Sequence, residues 1–356
     1  MIHALLPRPA SATNKRLCSL LVCSLAALPL EANTCWRQVV LMGTTLSVRV
    51  WANPPEDPCL LAEKAIGAVE ETERRLSTWR QDSEFSALNR APAGQAVPLS
   101  SELCHELSTA LRWAQATGGA FDPTVGALIR AYDLRGPGRW PSPQELAQAQ
   151  RAVGYEKLRL ESCRLLKTAP DVVLEEGGFG KGAALDAALA AVGGKVQAVE
   201  LNLGGQVSFW GKEALAVDLV HPDHRGEVVA TWILPPGSVA TSGNSERARK
   251  VDGKPLGHLL DPRSGQPARD FGSVAVWAPQ GITADCLSTA LFVLGPQQSL
   301  GVLANHREVA AVFLVREGKG LRLLTTPHRG RLIPKANNVQ VEEIVWPHQG
   351  QKEEKP

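Results

Sequence analysis

The chain has 356 residues, 44% of them hydrophobic, with 38 Lys and Arg against 36 Asp and Glu for a formal net charge of +2. That length and apolar fraction suffice for a full core, in one large or two ordinary domains. The near-neutral balance, with no Lys/Arg cluster interleaved with aromatics, excludes a nucleic-acid-binding protein.

At the start, Lys15-Arg16 precedes an apolar run from Leu17 to about Leu30 and then Glu31-Ala32-Asn33-Thr34. This is the basic region, apolar region and small-residue cut of a secretory signal, so residues 1–32 are predicted to be a signal peptide or an N-terminal anchor. The expected location of the rest is the periplasm, with membrane contact only through that segment if it is uncleaved. Val22 before Cys23 argues against lipidation there. No other apolar stretch is expected to cross a membrane. Outside the leader lie Cys35, Cys59, Cys104, Cys163 and Cys286. They have no CxxC and no Cys/His spacing suited to zinc; a disulfide such as Cys59 to Cys163 is allowed but not indicated, and Cys286 reads as a packing residue.

Gln38 to Trp51 alternates as two strand halves about a Gly-Thr kink. From Pro58 to Leu76 the positions Ala62, Ile66, Val69 and Leu76 share one helical face. Gln81 to Asn89 offers a capped short helix, and Ser100 to Thr117 a longer one stopped by Gly118-Gly119. Phe121-Asp122-Pro123-Thr124-Val125-Gly126 turns into an apolar helix, Arg135 to Pro141 reads as a loop, and Ser142 to Val153 as a helix. Leu158 to Ala169 reads as a hairpin and Val172-Val173-Leu174 as a buried strand.

That strand feeds Glu175-Glu176-Gly177-Gly178-Phe179-Gly180-Lys181-Gly182, with a helix from Ala183 to Val192 directly behind it. Strand, glycine loop and helix make an anion cradle: glycines admit a phosphate to the backbone amides at the positive helix end, and Lys181 adds charge. The pattern is neither a Walker A loop nor GxGxxG. A tight turn is the plainer alternative. Strands follow at Val196–Leu201, ending in Asn202-Leu203-Gly204-Gly205-Gln206, then at Leu215–Asp223 and Val228–Leu234, with Ala240-Thr241-Ser242-Gly243 closing another; together they imply a mainly antiparallel sheet. Gly272–Ala278 and Glu308–Val315 are further strands, and the tail from residue 335 to 356 is polar.

Two stretches carry the chemistry. In Gly257 to Pro267, Leu259-Leu260 reads as the end of a short buried strand that places His258 and Asp261 at a strand-to-loop edge. A His with a carboxylate neighbour takes a proton near neutrality, and Arg263 is a fork for phosphate oxygens; a hydrogen-bonded structural pair fits the same residues. Thr283 to Gly295 reads as a helix capped by Thr283 and stopped by Pro296. Asp285 and Thr289, four apart, share one face and supply two hard oxygens suited to Mg²⁺ on a diphosphate. A helix-dipole Asp and a Thr bonded back to a carbonyl fit the spacing equally.

In this order the motifs resemble the ApbE family of FAD:protein FMN transferases, over about Val39 to Val315. The carriers are Met42-Gly43-Thr44, Leu76-Ser77-Thr78-Trp79 with Ser83-Glu84 and Leu88-Asn89, Phe121 to Gly126, Gly177 to Gly182, Asn202 to Gly205, Ala240 to Gly243, His258 to Gly265, and Ala284-Asp285 with Leu287 to Ala290. The resemblance implies an α+β fold, one catalytic unit over residues 38–333 with two intimately packed lobes. It also implies cleavage of FAD between its phosphates, attachment of FMN to a Thr or Ser of an acceptor flavoprotein, and release of AMP. Asp285 and Thr289 would hold Mg²⁺ or Mn²⁺ with the carbonyl of Gly180 as a third oxygen. His258 would be the base or a transient phosphoryl acceptor, and Asp261 would orient it. Lys181 and Arg263 would steady the phosphates, while Met42, Thr78, Asp186 and Ser242 would line the nucleotide. A metal-dependent FAD pyrophosphatase and a non-catalytic FAD-binding protein remain as alternatives. The chain departs from the family pattern at Glu175, Gly180, Ala183, Asn244 and Ser245, where the family favours Asp, Ala, an aromatic, Asp and Tyr.

Overall fold

A computed structural model describes residues 33–344 apart from 212–213, 225, 245–248, 319, 328 and 337–338. The proposed leader, the last residues of the tail and Ser245 lie outside the described residues. The first pairing is a hairpin of β1 (Asn33–Leu41) and β2 (Thr44–Ala52). Met42 and Gly43 have φ of 51° and 69°, the left-handed pair that a two-residue type I′ turn demands. The expected kink within one strand is therefore a reversal between two; Met at the first turn position hid it, since that site normally takes Asn, Asp or Gly.

Helix α1 (Pro58–Leu76) starts where the Asp57 carboxylate accepts from the Cys59 and Leu60 amides, and buries Ala62, Ile66, Val69 and Leu76 as their spacing predicts. Next come α2 (Glu84–Arg90), capped by Ser83, β3 (Ala96–Pro98), α3 (Ser101–Ala116), α4 (Gly126–Ala131) and α5 (Pro143–Arg151), whose Ser142 and Glu145 close a capping box. The hairpin of β4 (Leu158–Glu161) and β5 (Arg164–Lys167) forms as expected, and β3 adds to its edge. Val172-Val173-Leu174 is no strand. Val173 makes a single parallel bridge to Val125 and accepts from Gly126 N, so the segment is pinned beside a turn rather than laddered.

Helix α6 (Gly180–Val192) begins inside the glycine loop, three residues before the predicted start. The strands β6 (Ala198–Leu203), β7 (Gln206–Trp210), β8 (Leu215–Val220), β9 (Val228–Leu234), β10 (Gly237–Gly243), β11 (Arg249–Val251), β12 (Lys254–Leu256) and β13 (Gly272–Ala278) precede α7 (Gly281–Asn305). The chain then runs through β14 (Ala310–Glu317), β15 (Gly320–Thr325), β16 (Arg331–Pro334) and β17 (Val339–Glu343). Leu259 and Leu260 do not continue a strand; Leu260 makes one bridge, to Pro267.

Among the described residues the main sheet has nine strands in the order β1-β2-β6-β7-β10-β13-β14-β15-β17, antiparallel except for the last pair. The fold is α+β, as expected. Side chains alternate between two faces. On one face α1 and α6 cover Val48, Val50, Val199, Leu201 and Leu203, while α7 covers Val274, Val276, Ala311 and Phe313. On the other, Trp232, Val217 and Leu219 of the small sheet β16-β9-β8 cover Val207, Phe209, Ala275 and Trp277. Helix α7 is long and apolar enough to cross a membrane by length and composition, against the expectation of no such stretch. Its apolar side chains Leu287, Leu291 and Phe292 lie in the core. The helix also passes Gly295, expected as its end; there the backbone swings to φ 70°, and the helix resumes at Pro296 after a kink.

Cys35 bonds Cys59, and Cys104 bonds Cys163. Neither matches the allowed pairing of Cys59 with Cys163, and the separation in space explains why: Cys59 opens α1 beside the sheet edge, whereas Cys163 sits in the β4–β5 turn above α3. Cys286 is free and buried, as read from sequence, and its burial drives its thiol pKa well up. With sequence separations of 24 and 59, each bridge restrains a long loop. Replacing Cys104 and Cys163 together by Ser is expected to lower the unfolding free energy by about 3–4 kcal/mol in a denaturant titration, and reductant, which opens Cys35–Cys59 as well, should cost the unmodified protein more than that.

Candidate active site

The site is built where two helices begin against each other. A Cβ on Gly182 would stand 2.2 Å from Gly281 O, and one on Gly281 would stand 2.6 Å from Gly182 O, so only glycine at both positions allows the approach. Asp186, nearly two turns into α6, accepts from the amides of Gly281 at 2.6 Å and Ile282 at 2.9 Å. It caps α7 from a neighbouring helix, which is why α7 starts at Gly281 without using Thr283 as its cap. Thr283 instead accepts from Trp113 Nε1 at 3.2 Å. Burial raises the Asp186 pKa, and the two amides pull against that rise.

Across the same junction, Asp285 is 3% exposed. Its Oδ1 accepts from Lys181 Nζ at 3.0 Å, and its Oδ2 accepts from Gly182 N at 3.1 Å. The glycine loop and α7 are thus locked by one carboxylate. Thr289, one turn on, turns its hydroxyl to the loop, with Oγ1 3.4 Å from where a Cβ on Gly178 would stand. Met42 reaches the same loop: its Cε is 3.5 Å from the Cβ position of Gly180. Ser242, at the end of β10, donates to Ser288 Oγ at 2.9 Å and so ties that strand to α7 beside Asp285. Among the described residues there is no group of three or more His, Cys, Asp or Glu that would form an all-side-chain metal cage. One buried carboxylate, one hydroxyl and a main-chain carbonyl are hard oxygens, a set that suits Mg²⁺ or Mn²⁺ completed by water and phosphate.

Thr78 is held by Glu176. Its amide donates to Oε1 at 3.1 Å and its hydroxyl to Oε2 at 2.7 Å. Glu176 in turn borders Gly180, with Cγ 3.4 Å from the Cβ position there. Glu175 accepts from Arg135 Nη2 at 2.6 Å. Even so, burial and the neighbouring Glu176 outweigh Arg135 and push the Glu175 pKa up to about 7. Sequence alone did not reveal Arg135 or Glu176 as site residues, because a loop arginine and a second glutamate before a glycine run have no periodic signature.

The loop from His258 to Pro267 packs on α4 and α5: Tyr132 donates to Gly265 O at 3.0 Å, and Gln150 donates to Pro262 O at 2.6 Å. His258 is half-buried. Its neighbour Gly257 lies against Asn244, whose Nδ2 is 2.7 Å from the Gly257 Cβ position, just beyond Ser242. The strand end at Ser242 and Asn244 therefore connects the His258 loop to α7. Asp261 faces Arg263: Nε donates to Oδ1 and Nη2 to Oδ2, both at 2.9 Å, and Arg263 N also donates to Oδ1. The expected orienting carboxylate for His258 is thus engaged in a turn with the arginine two residues on. That carboxylate raises the Arg263 pKa, and Cγ of Arg263 lies 3.7 Å from the Cβ position of Gly119. The structure brings Met42, Thr78, Gly180, Lys181, Asp186, Ser242, Asp285 and Thr289 around one helix junction, with Asp261 and Arg263 paired on the loop beside it.

Two outcomes follow from this packing. Gly182→Ala should cost about 1–3 kcal/mol in chemical denaturation, since the clash falls on backbone that cannot rotate away. Glu175 carries a folded pKa near 7, above its unfolded value, so its contribution to stability is full below the unfolded value and is lost as pH rises through about 7. Glu175→Gln should accordingly flatten the fall in melting temperature between pH 5 and pH 8.

A family model described as the ApbE family matches residues 42–313. The FAD:protein FMN transferase of Treponema pallidum is 30% identical over 303 residues, which is 78% of this chain and 83% of that protein. The one from Haemophilus influenzae is 28% identical over 319 residues, covering 83% and 91%. Among solved structures, the ApbE protein of Thermotoga maritima superposes with a TM-score of 0.73 at 28% identity, covering 79% of this chain and 94% of that one. The apo flavinyl transferase ApbE of Pseudomonas stutzeri gives 0.73 at 26% identity, covering 83% and 95%. With most of its length matched in sequence and in fold, the chain belongs to the ApbE family.

Proposed function

We propose that this protein transfers the FMN part of FAD to a Thr or Ser hydroxyl of an acceptor flavoprotein through a phosphoester bond, releasing AMP. The observation that carries the reading is the buried Asp285 facing Lys181 and the amide of Gly182 at the start of α6, with the Thr289 hydroxyl turned to the same loop. A carboxylate, a hydroxyl and an ammonium group gathered at a glycine-rich helix start are the parts that a diphosphate with a divalent cation requires. The names of the relatives supply the substrate class.

In this reading Asp285, Thr289 and the Gly180 carbonyl hold Mg²⁺, or Mn²⁺ in its place, and Met42, Thr78 and Ser242 border the nucleotide. The bound cation supplies neutralisation of charge on the diphosphate. Lys181 stabilises the same oxygens, the Gly180 and Gly182 amides being taken by Glu176 O and Asp285. His258 takes the proton of the acceptor hydroxyl as its oxygen bonds to the FMN phosphorus; the anhydride P–O bond breaks and AMP leaves. Arg263, fixed by Asp261, adds positive charge beside the reacting phosphates, and Asp186 acts on the nucleotide through the α7 helix start that it caps. The acceptor is expected to enter from the His258 side, because that base has to reach the acceptor hydroxyl.

Location in the periplasm is part of the proposal. Two disulfides in one chain are uncommon in a reducing cytosol and fit an exported protein. The test is chromatography of FAD, Mg²⁺ and protein, with and without a small domain bearing a flavinylation Thr. AMP together with in-gel flavin fluorescence of that domain is expected. Asp285→Ala should abolish cation-dependent turnover, whereas His258→Ala should keep FAD binding and lose turnover by about a hundredfold or more. AMP and free FMN formed equally without the acceptor would make the protein a pyrophosphatase, and intact FAD in every mixture would make it a carrier.

A further inference from the structure

Arg135 lies in the loop beyond α4 and has no part in the chemistry above, yet it gathers several groups at the rim of the site. Its guanidinium stands 4.8 Å over the ring of Trp79. Nη2 donates to Glu175 Oε2 at 2.6 Å and to the Thr78 hydroxyl, and Nη1 reaches Thr78 O at 3.5 Å. Thr78 is the residue that Glu176 ties to the glycine loop. Trp79 is therefore fixed from one side by a cation that is itself held by a half-buried carboxylate. Trp79 is nevertheless 70% exposed.

That combination is unusual for a residue whose task is folding. An indole that stays in water contributes little to the core, and a planar guanidinium needs no aromatic partner when it already has a carboxylate and two oxygens to bond. A ring stacked on one side by Arg, with most of its surface free, is a preformed wall for a second planar group. Its entropy of ordering is met before the ligand arrives. The planar groups in this reaction are the ring systems of FAD, and Thr78 and Glu176 place the wall next to Gly180.

We propose that Arg135 is a positioning residue that holds Trp79 as one wall of the flavin-nucleotide site and sets FAD affinity through that ring. The inference rests on the transferase reading. Arg135 touches no reacting atom in it; it acts on binding through Trp79, so it should move ground-state affinity and leave the chemical step alone.

The experiment is a thermodynamic cycle on the full-length mature protein. FAD dissociation constants are measured by calorimetry for the unmodified protein, Arg135→Gln, Trp79→Ala and the double variant, alongside KM and kcat for AMP release with the acceptor domain. Arg135→Gln is expected to weaken FAD binding about tenfold and to raise KM in step, with kcat unchanged within about twofold. Trp79→Ala should cause a similar loss, the double variant should lose no more than Trp79→Ala alone, and Trp79→Phe should restore most of the affinity. If Arg135→Gln does not fold, Arg135→Lys against Trp79→Ala gives the same comparison, because Lys keeps the charge on Glu175 without the stacked plane. Unchanged FAD affinity in the Arg135 variant, or losses that multiply in the double variant, would overturn the inference while the transferase stands. Unmodified protein that binds no FAD would overturn the transferase reading and the inference with it.

Discussion

The contact between Gly182 and Gly281 is the constraint from which the site follows. Two helices that begin within van der Waals reach of each other's backbone bring both sets of free N-terminal amides into one place. Asp186 occupies the α7 amides and Asp285 takes the Gly182 amide, so each helix start is capped by a carboxylate from the other. The reciprocal arrangement leaves Asp285 buried beside Lys181 at the mouth of the glycine loop. Any side chain at either glycine would separate the helices and pull that carboxylate away.

Charge then accounts for the rest. A carboxylate as buried as Asp285 needs positive charge, and Lys181 provides it at 3.0 Å. A divalent cation and a diphosphate brought to the same place carry opposite charges that the pair can accommodate without a large change in local balance. Outside this centre, Glu175 and Glu176 stand side by side, and one of them shares Arg135 while the other holds Thr78. The rim is thereby built from carboxylates that organise neighbours through hydrogen bonds, and the proton on Glu175 comes off near neutrality. The two disulfides act elsewhere, pinning the edge strand β1 to α1 and the β4–β5 turn to α3.

Where a single local signal suffices, the sequence is legible. The apolar spacing of α1, the alternation of β6, the short apolar run of β13 and the paired glycines after Asn202 each determine their own structure, and Gly204 and Gly205 do take positive φ in the turn. The order of short motifs carried the family, and it also brought Lys181, Asp285 and Thr289 under suspicion before their meeting was visible. What stayed hidden depends on partners distant in the chain. The start of α7 is set by Asp186, 95 residues away from Gly281, and not by its own Thr283. Asp261, expected beside His258 from their spacing, also pairs with Arg263 through a two-residue turn. Four cysteines allow three pairings, and spacing does not choose among them. Arg135 looked like any loop arginine because its partners, Trp79 and Glu175, lie on two other segments.

The most direct measurement of the central claim is FAD binding by calorimetry, with Mg²⁺ and with chelator, for the unmodified protein and for Asp285→Asn. The account predicts that Mg²⁺ tightens FAD binding by about tenfold or more in the unmodified protein and that this increment disappears in Asp285→Asn, whose one amide oxygen is expected to keep accepting from the Gly182 amide. Equal affinity with and without Mg²⁺ in the unmodified protein, or a full Mg²⁺ effect surviving in Asp285→Asn, would contradict the assignment of the α6–α7 junction as the place where cation and diphosphate meet.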